Sequence, residues 1–138
     1  MKPAQWLLIL GASFCAYGAG GIRPAWPQAV ASGAAARGAA IYSRCLACHA
    51  WAYDRTGPRH CGLFGRQAGT APGFAYSPAM KDSRIIWDEE TLNRFLENPM
   101  KMVPGTSMGY AGITDARERA DLIAYLKKEN SSADCAAR

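Results

Sequence analysis

The chain has 138 residues, about one domain's length, with 16 Lys plus Arg against 11 Asp plus Glu, a formal net charge of +5, 49% hydrophobic residues and 20% charged. These figures exclude a disordered acidic tail and a low-complexity segment, and with no basic run longer than Lys127-Lys128 they offer no stripe for nucleic acid. Only two histidines are present, His49 and His60, so one chain cannot build a three-His metal site, and the five cysteines are too few and too scattered for a small disulfide scaffold.

In chain order, Lys2 precedes an apolar stretch from Trp6 to Tyr17, followed by Gly18, Ala19, Gly20 and Gly21. A positive start, a short apolar run and small residues describe an export signal. Ala16-Tyr17-Gly18 and Ala29-Val30-Ala31 both offer cleavage spacing. Residues 1–31 are read as signal peptide and leader, and 32–138 as the folded domain. The alternative is an uncleaved anchor, since Trp6 to Ile22 spans 17 residues, at the bottom of the membrane-crossing range. Phe14 before Cys15 is too bulky for a lipoprotein cleavage site. In either case the domain is expected outside the cytoplasm, in the periplasm, where a disulfide can persist.

The Ala-rich segment 34–46 predicts the first helix, with Gly38 a small interior residue. Residues 54–79 are broken repeatedly by Gly and Pro and read as loops. A second helix is predicted over Asp88 to Asn98: Asp88 caps it, Glu89 and Glu90 suit its positive end, and Pro99 stops it. Leu92, Phe95 and Leu96 fall on one of its faces. Residues 99–113 again read as loop. Thr114 or Asp115 starts the last helix, with Asp115-x-x-Glu118 as a cap pair, Leu122, Ile123 and Leu126 as its buried stripe, and Lys127-Lys128 at its negative end. No strand alternation of useful length appears, so the class is all-α: a single domain of three main helices and long ordered loops. So few helices bury limited apolar area, and a large buried cofactor would give the loops something to pack on.

Cys45-Leu46-Ala47-Cys48-His49 names that cofactor. C-x-x-C-H is the attachment motif of a c-type haem: two thiols on one helical turn form thioethers to one haem edge, and the following His is carried beneath the iron. A redox C-x-x-C would sit near a βαβ pattern, which is missing, and a zinc knuckle would need a second C-x-x-C, which Cys61 and Cys135 do not form. A six-coordinate iron needs a further ligand. His60, Met80, Met100, Met102 and Met108 are candidates. Met108 is preferred, with Met102 behind it, because the small residues of Pro104-Gly105-Thr106-Ser107-Met108-Gly109 let the backbone approach a porphyrin closely. A soft, neutral thioether favours ferrous iron and raises the potential.

With these residues in view, the chain resembles the class I cytochromes c, in the branch of mitochondrial cytochrome c and the small soluble bacterial cytochromes. The match runs from about Gly38 to Lys128 and includes the haem motif, Thr56-Gly57-Pro58, Gly62-Leu63-Phe64-Gly65-Arg66, Ala71-Pro72-Gly73-Phe74-Ala75-Tyr76-Ser77, and Ile86-Trp87. It continues through Leu96-Glu97-Asn98-Pro99, Pro104-Gly105-Thr106-x-Met108, Tyr110-Ala111-Gly112-Ile113 and Ala120 to Lys127. The resemblance implies one covalent haem c on Cys45 and Cys48, with His49 and Met108 as axial ligands. It implies that the Pro58 carbonyl orients His49, that Arg66, Tyr76 and Trp87 hold the propionates, and that Tyr42, Leu122 and Tyr125 join Gly38 at a helix crossing.

The chain departs from the family where Phe95 replaces a Tyr that bonds the Met sulfur, and where Met80 replaces an Asn near a buried water; Thr106 remains. A drier distal pocket and a firmer iron–sulfur bond, resistant to exchange for Lys101 at high pH, are expected. The effects on potential oppose each other. The family's ring of docking lysines is thin here: Arg44, Arg55 and Lys101 match basic positions, while Met100, Ser107 and Asp115 replace others. Because the last helix folds back near the haem motif in this family, a Cys61–Cys135 disulfide is expected.

The resulting expectation is a monomeric electron carrier, not an enzyme, passing one electron from a quinol–cytochrome oxidoreductase complex to a terminal oxidase, or serving a periplasmic dehydrogenase or photosynthetic reaction centre. Two competing readings are a peroxidase or sensor with an open sixth site, and a membrane-tethered carrier or docked dehydrogenase subunit.

Overall fold

A computed structural model describes residues 26–136. Six helices follow in order: α1 Trp26–Tyr42, α2 Pro78–Asp82, α3 Glu89–Glu97, α4 Pro99–Met102, α5 Ala116–Asn130 and α6 Ala133–Ala136, with a 3₁₀ turn Ser43–Cys45 continuing α1. Among the described residues the only extended pairing is the isolated bridge between Gln67 and Ile86. The candidate export segment up to residue 25, with Cys15, lies outside the described residues. Among those that are described, no helix is long and apolar enough to cross a membrane.

The first helix begins at Trp26, eight residues before the predicted start at 34, and its backbone runs through the candidate cleavage site Ala29-Val30-Ala31. Alanine is the best helix former, and Pro27 falls in the first turn, where a missing N–H breaks no helical bond. The helix ends at Tyr42 rather than 46, tightening into the 3₁₀ turn that starts the Cys45 motif. Short helices also interrupt two stretches around the predicted loops. Ser77 caps α2 by accepting from Met80 N, and Asn98 caps α4 by accepting from Lys101 N, each with a proline in the first turn.

α3 forms as predicted, its start fixed by a reciprocal cap: Asp88 accepts from Thr91 N at 2.7 Å while Thr91 Oγ1 accepts from Asp88 N at 2.9 Å. At α5, Asp115 Oδ1 accepts from Arg117 N and Glu118 N, both at 2.8 Å. The expected second half of that cap is absent. Glu118 turns away to pair with Arg44 at 3.0 Å, because the 3₁₀ turn after α1 brings a cation within reach.

The frame is the crossing of α1 over α5, with α3 packed on α5. A Cβ on Gly38 would lie 2.0 Å from the Asp121 carbonyl oxygen and 2.6 Å from Tyr125 Cβ, so only glycine permits this approach. Arg37 closes the crossing with two 2.6 Å bonds to Asp121. Leu122, fully buried, and Tyr42, 2% exposed, fill its centre. Arg119 is buried, and no carboxylate pairs with it among the described residues; its guanidinium donates to the Ile113 and Thr114 carbonyls and to Asn93, pinning the loop before α5 onto α3. Cys61 and Cys135 are joined by a disulfide, tying α6 to the loop after the haem motif.

Candidate haem site

The end of α1 shapes the motif. Cys48 N and His49 N both donate to the Cys45 carbonyl, at 3.1 and 2.9 Å, which keeps the turn tight and carries His49 inward. Both thiols are free; Cys45 is half-buried and Cys48 exposed. Burial pushes the Cys45 thiol pKa up, against the opposing pull of Arg44.

His49 is held on several sides. Its Nδ1 lies 2.7 Å from the Pro58 carbonyl, the position for an Nδ1–H donor, which leaves Nε2 as the ring's coordinating nitrogen. Gly57 backs the ring: a Cβ there would stand 2.4 Å from Cε1 and 2.7 and 2.8 Å from the two nitrogens. Those near-equal distances place the point over the ring face rather than beyond its edge. Burial lowers the His49 pKa more than the Pro58 bond raises it, favouring the neutral imidazole a metal requires.

The motif opens on a cavity of about 400 Å³. Its wall includes every haem-contact residue expected from the sequence: Cys45, Cys48, His49, Pro58, Arg66, Tyr76, Trp87, Phe95, Thr106 and Met108. Leu63, Met80, Leu92, Leu96, Leu122 and Leu126 complete it with apolar surface. Met108 is half-buried, and its backbone N–H donates to Thr106 Oγ1 at 3.2 Å. Met100 and Met102 are not among the lining residues. His60 does line the cavity, but its ring stacks on His49 at 4.3 Å, which places it beside the first ligand and not across from it.

At the polar end, Arg66 donates to the Cys61 and Arg59 carbonyls at 3.0 and 3.2 Å. Burial lowers its pKa and raises that of Tyr76, with each group opposing the other's shift. Arg59 pairs with Asp54 at 3.2 Å and also donates to the Pro72 carbonyl, bracing this end from outside. Of the cations expected on the docking face, Arg44 is engaged by Glu118 and Arg55 donates to the Leu46 carbonyl at 2.8 Å.

This donor set fits a covalently held haem: two thiols without other bonds, an imidazole aimed by a carbonyl, a thioether on the same cavity, and apolar walls. The sequence did not reveal the aromatic surroundings of His60. Trp51 and Tyr42 meet it through loop folding, and no periodicity links such positions.

A family model described as Cytochrome c matches residues 35–129. Among similar proteins, a cytochrome c of Euglena viridis is 49% identical over 98 residues, covering 69% of this chain and 96% of that protein. A cytochrome c2 of Blastochloris viridis is 44% identical over 100 residues, covering 70% and 79%. Among solved structures, cytochrome cH from Methylobacterium extorquens superposes with a TM-score of 0.67 at 42% identity, covering 68% of this chain and 97% of that one.

Proposed function

The chain belongs to the cytochrome c family, and from that premise we propose that it is a periplasmic one-electron carrier whose haem is bonded to Cys45 and Cys48 and ligated by His49 and Met108. Membership itself makes it a small haem electron-transfer protein with one covalent haem c. The haem supplies a one-electron ferric/ferrous couple. The chain supplies the rest: Pro58 holds the His49 ring in one tautomer, Thr106 accepts from the backbone N–H of Met108, the apolar wall would keep water from the iron, and Arg66, Tyr76 and Trp87 would hold the propionates. The observation that carries the assignment is the single cavity holding His49, tied to Pro58, together with Met108 and both thiols.

The near-infrared band of a Met–iron bond tests it. The oxidised protein should show the band and keep it well above neutral pH, because Phe95 offers the sulfur no phenol to compete for its electron density. Met108→Ala should abolish it and let carbon monoxide bind rapidly to the reduced protein. An unchanged spectrum in that variant overturns the ligand assignment, and rapid carbon monoxide binding by the parent favours an open-site sensor or peroxidase.

The partners we propose are a quinol–cytochrome oxidoreductase complex and a terminal oxidase, with a dehydrogenase or reaction centre as alternatives. Docking leans on apolar contact, since Arg44 is neutralised by Glu118 while Leu46 is 45% and Met100 59% exposed. Association rates with an isolated oxidase should therefore fall only shallowly with added salt, and a steep fall would contradict this.

A further inference from the structure

His49 is the first ring of a series. The His60 ring stacks on it with centroids 4.3 Å apart and planes within 21°. Trp51 meets His60 edge-on at 5.9 Å, and Tyr42 lies 5.6 Å from it, with the tyrosine oxygen 3.0 Å from His60 Nδ1. Tyr42 in turn stacks on Trp51 at 5.0 Å, and Trp51 meets Tyr125 edge-on at 5.8 Å. These are contact distances for π systems, so no gap interrupts the path. The path also reaches solvent: Trp51 and Tyr125 are half-exposed, and Tyr53, two residues along the chain from Trp51, is 62% exposed.

We propose that this stack is a second electron-exchange route, joining the iron ligand His49 through His60 to a surface port at Trp51 and Tyr125. A small one-electron donor or acceptor, or an aromatic side chain of a docked redox protein, would exchange there, independently of the surface around Met108. The π levels of a ring lie closer in energy to the transferring electron than the bonds of a saturated side chain in the same place, and His60 bridges the ligand to the surface aromatics with no void between them. One electron crosses, no bond forms or breaks, and the partner's charge changes by one in the opposite sense. The proposal rests on His49 as the iron ligand.

The test uses the full holoprotein carrying Tyr53→His, with a ruthenium bipyridyl complex bound to the new imidazole. Light-triggered transfer between label and haem is timed with His60 intact, in His60→Leu and in His60→Phe. The leucine variant should be slower than the parent and the phenylalanine variant should hold most of the parent rate. The same three backgrounds labelled through Met100→His should show equal rates. Trp51→Leu, slowing transfer only from position 53, serves if His60→Leu does not fold. Equal rates from position 53, or equal slowing from both labels, overturn the route. The visible spectrum, read first, separates the two readings: a parent without the spectrum of an imidazole-ligated haem fails the ligand assignment and the route together, whereas normal spectra with equal rates sink the route alone.

Discussion

Gly38 shows how much one missing side chain can decide. In an exposed helix interior, replacing glycine by alanine gains about 1 kcal/mol of helix propensity. Here the added methyl would stand 2.0 Å from the Asp121 carbonyl oxygen, deep inside van der Waals contact with backbone that cannot step aside. Overpacking of that kind costs about 1–3 kcal/mol or more and wins over propensity. Gly38→Ala should therefore lower the thermal midpoint, and a midpoint unchanged or raised would show that α1 and α5 can part without cost. Gly57 has the same logic against a side chain: any Cβ would meet the His49 ring. The sequence made Gly38 a candidate for a helix crossing, yet its contact with Asp121 is a property of the packed pair and has no trace in local spacing.

Between elements, the α1–α5 contact is closed by the two bonds from Arg37 to Asp121. Hydrogen bonding to Arg37, ahead of its charge, holds the Asp121 carboxyl below the usual carboxylate range despite opposing desolvation. A carboxyl whose pKa is lower in the folded state stabilises the fold fully above its unfolded pKa of about 3.9, and loses that contribution as pH falls through the folded value. The difference in thermal midpoint between the parent and Asp121→Asn should thus be level near neutrality and shrink below about pH 4. A gap that stays constant into acid would assign the effect to packing rather than to the ion pair. The element boundaries teach the same lesson. Asp88 and Asp115 were readable as caps because a cap needs only residues three positions apart. Glu118 was misread as a cap partner because its real partner, Arg44, lies 74 positions away.

At the scale of the molecule, the Cys61–Cys135 disulfide closes a long span, with a sequence separation of 74. It restrains the unfolded chain and anchors α6 beside the loop that carries His60 and Arg66. Cys135→Ser should lower the unfolding free energy by about 2–4 kcal/mol in denaturant titrations under oxidising conditions. Two reactive thiols at these positions in unreduced, denatured protein would show that the bridge does not form. Because the polar end of the cavity hangs on the Cys61 and Arg59 carbonyls through Arg66, the variant should also broaden that end's motions before the helical frame yields.

The sequence alone determined the class, the haem motif, two helix caps and the buried stripes of α3 and α5. These are legible because each rests on short-range chemistry: a cap, a repeat, or a motif whose spacing the cofactor itself dictates. Only the tertiary structure decided that Glu118 serves Arg44 and that His60 stacks against His49 instead of facing it. Each of those is settled by which surfaces meet when α1 crosses α5 and the loops close over the cavity, and contacts between distant segments leave no periodic mark along the chain.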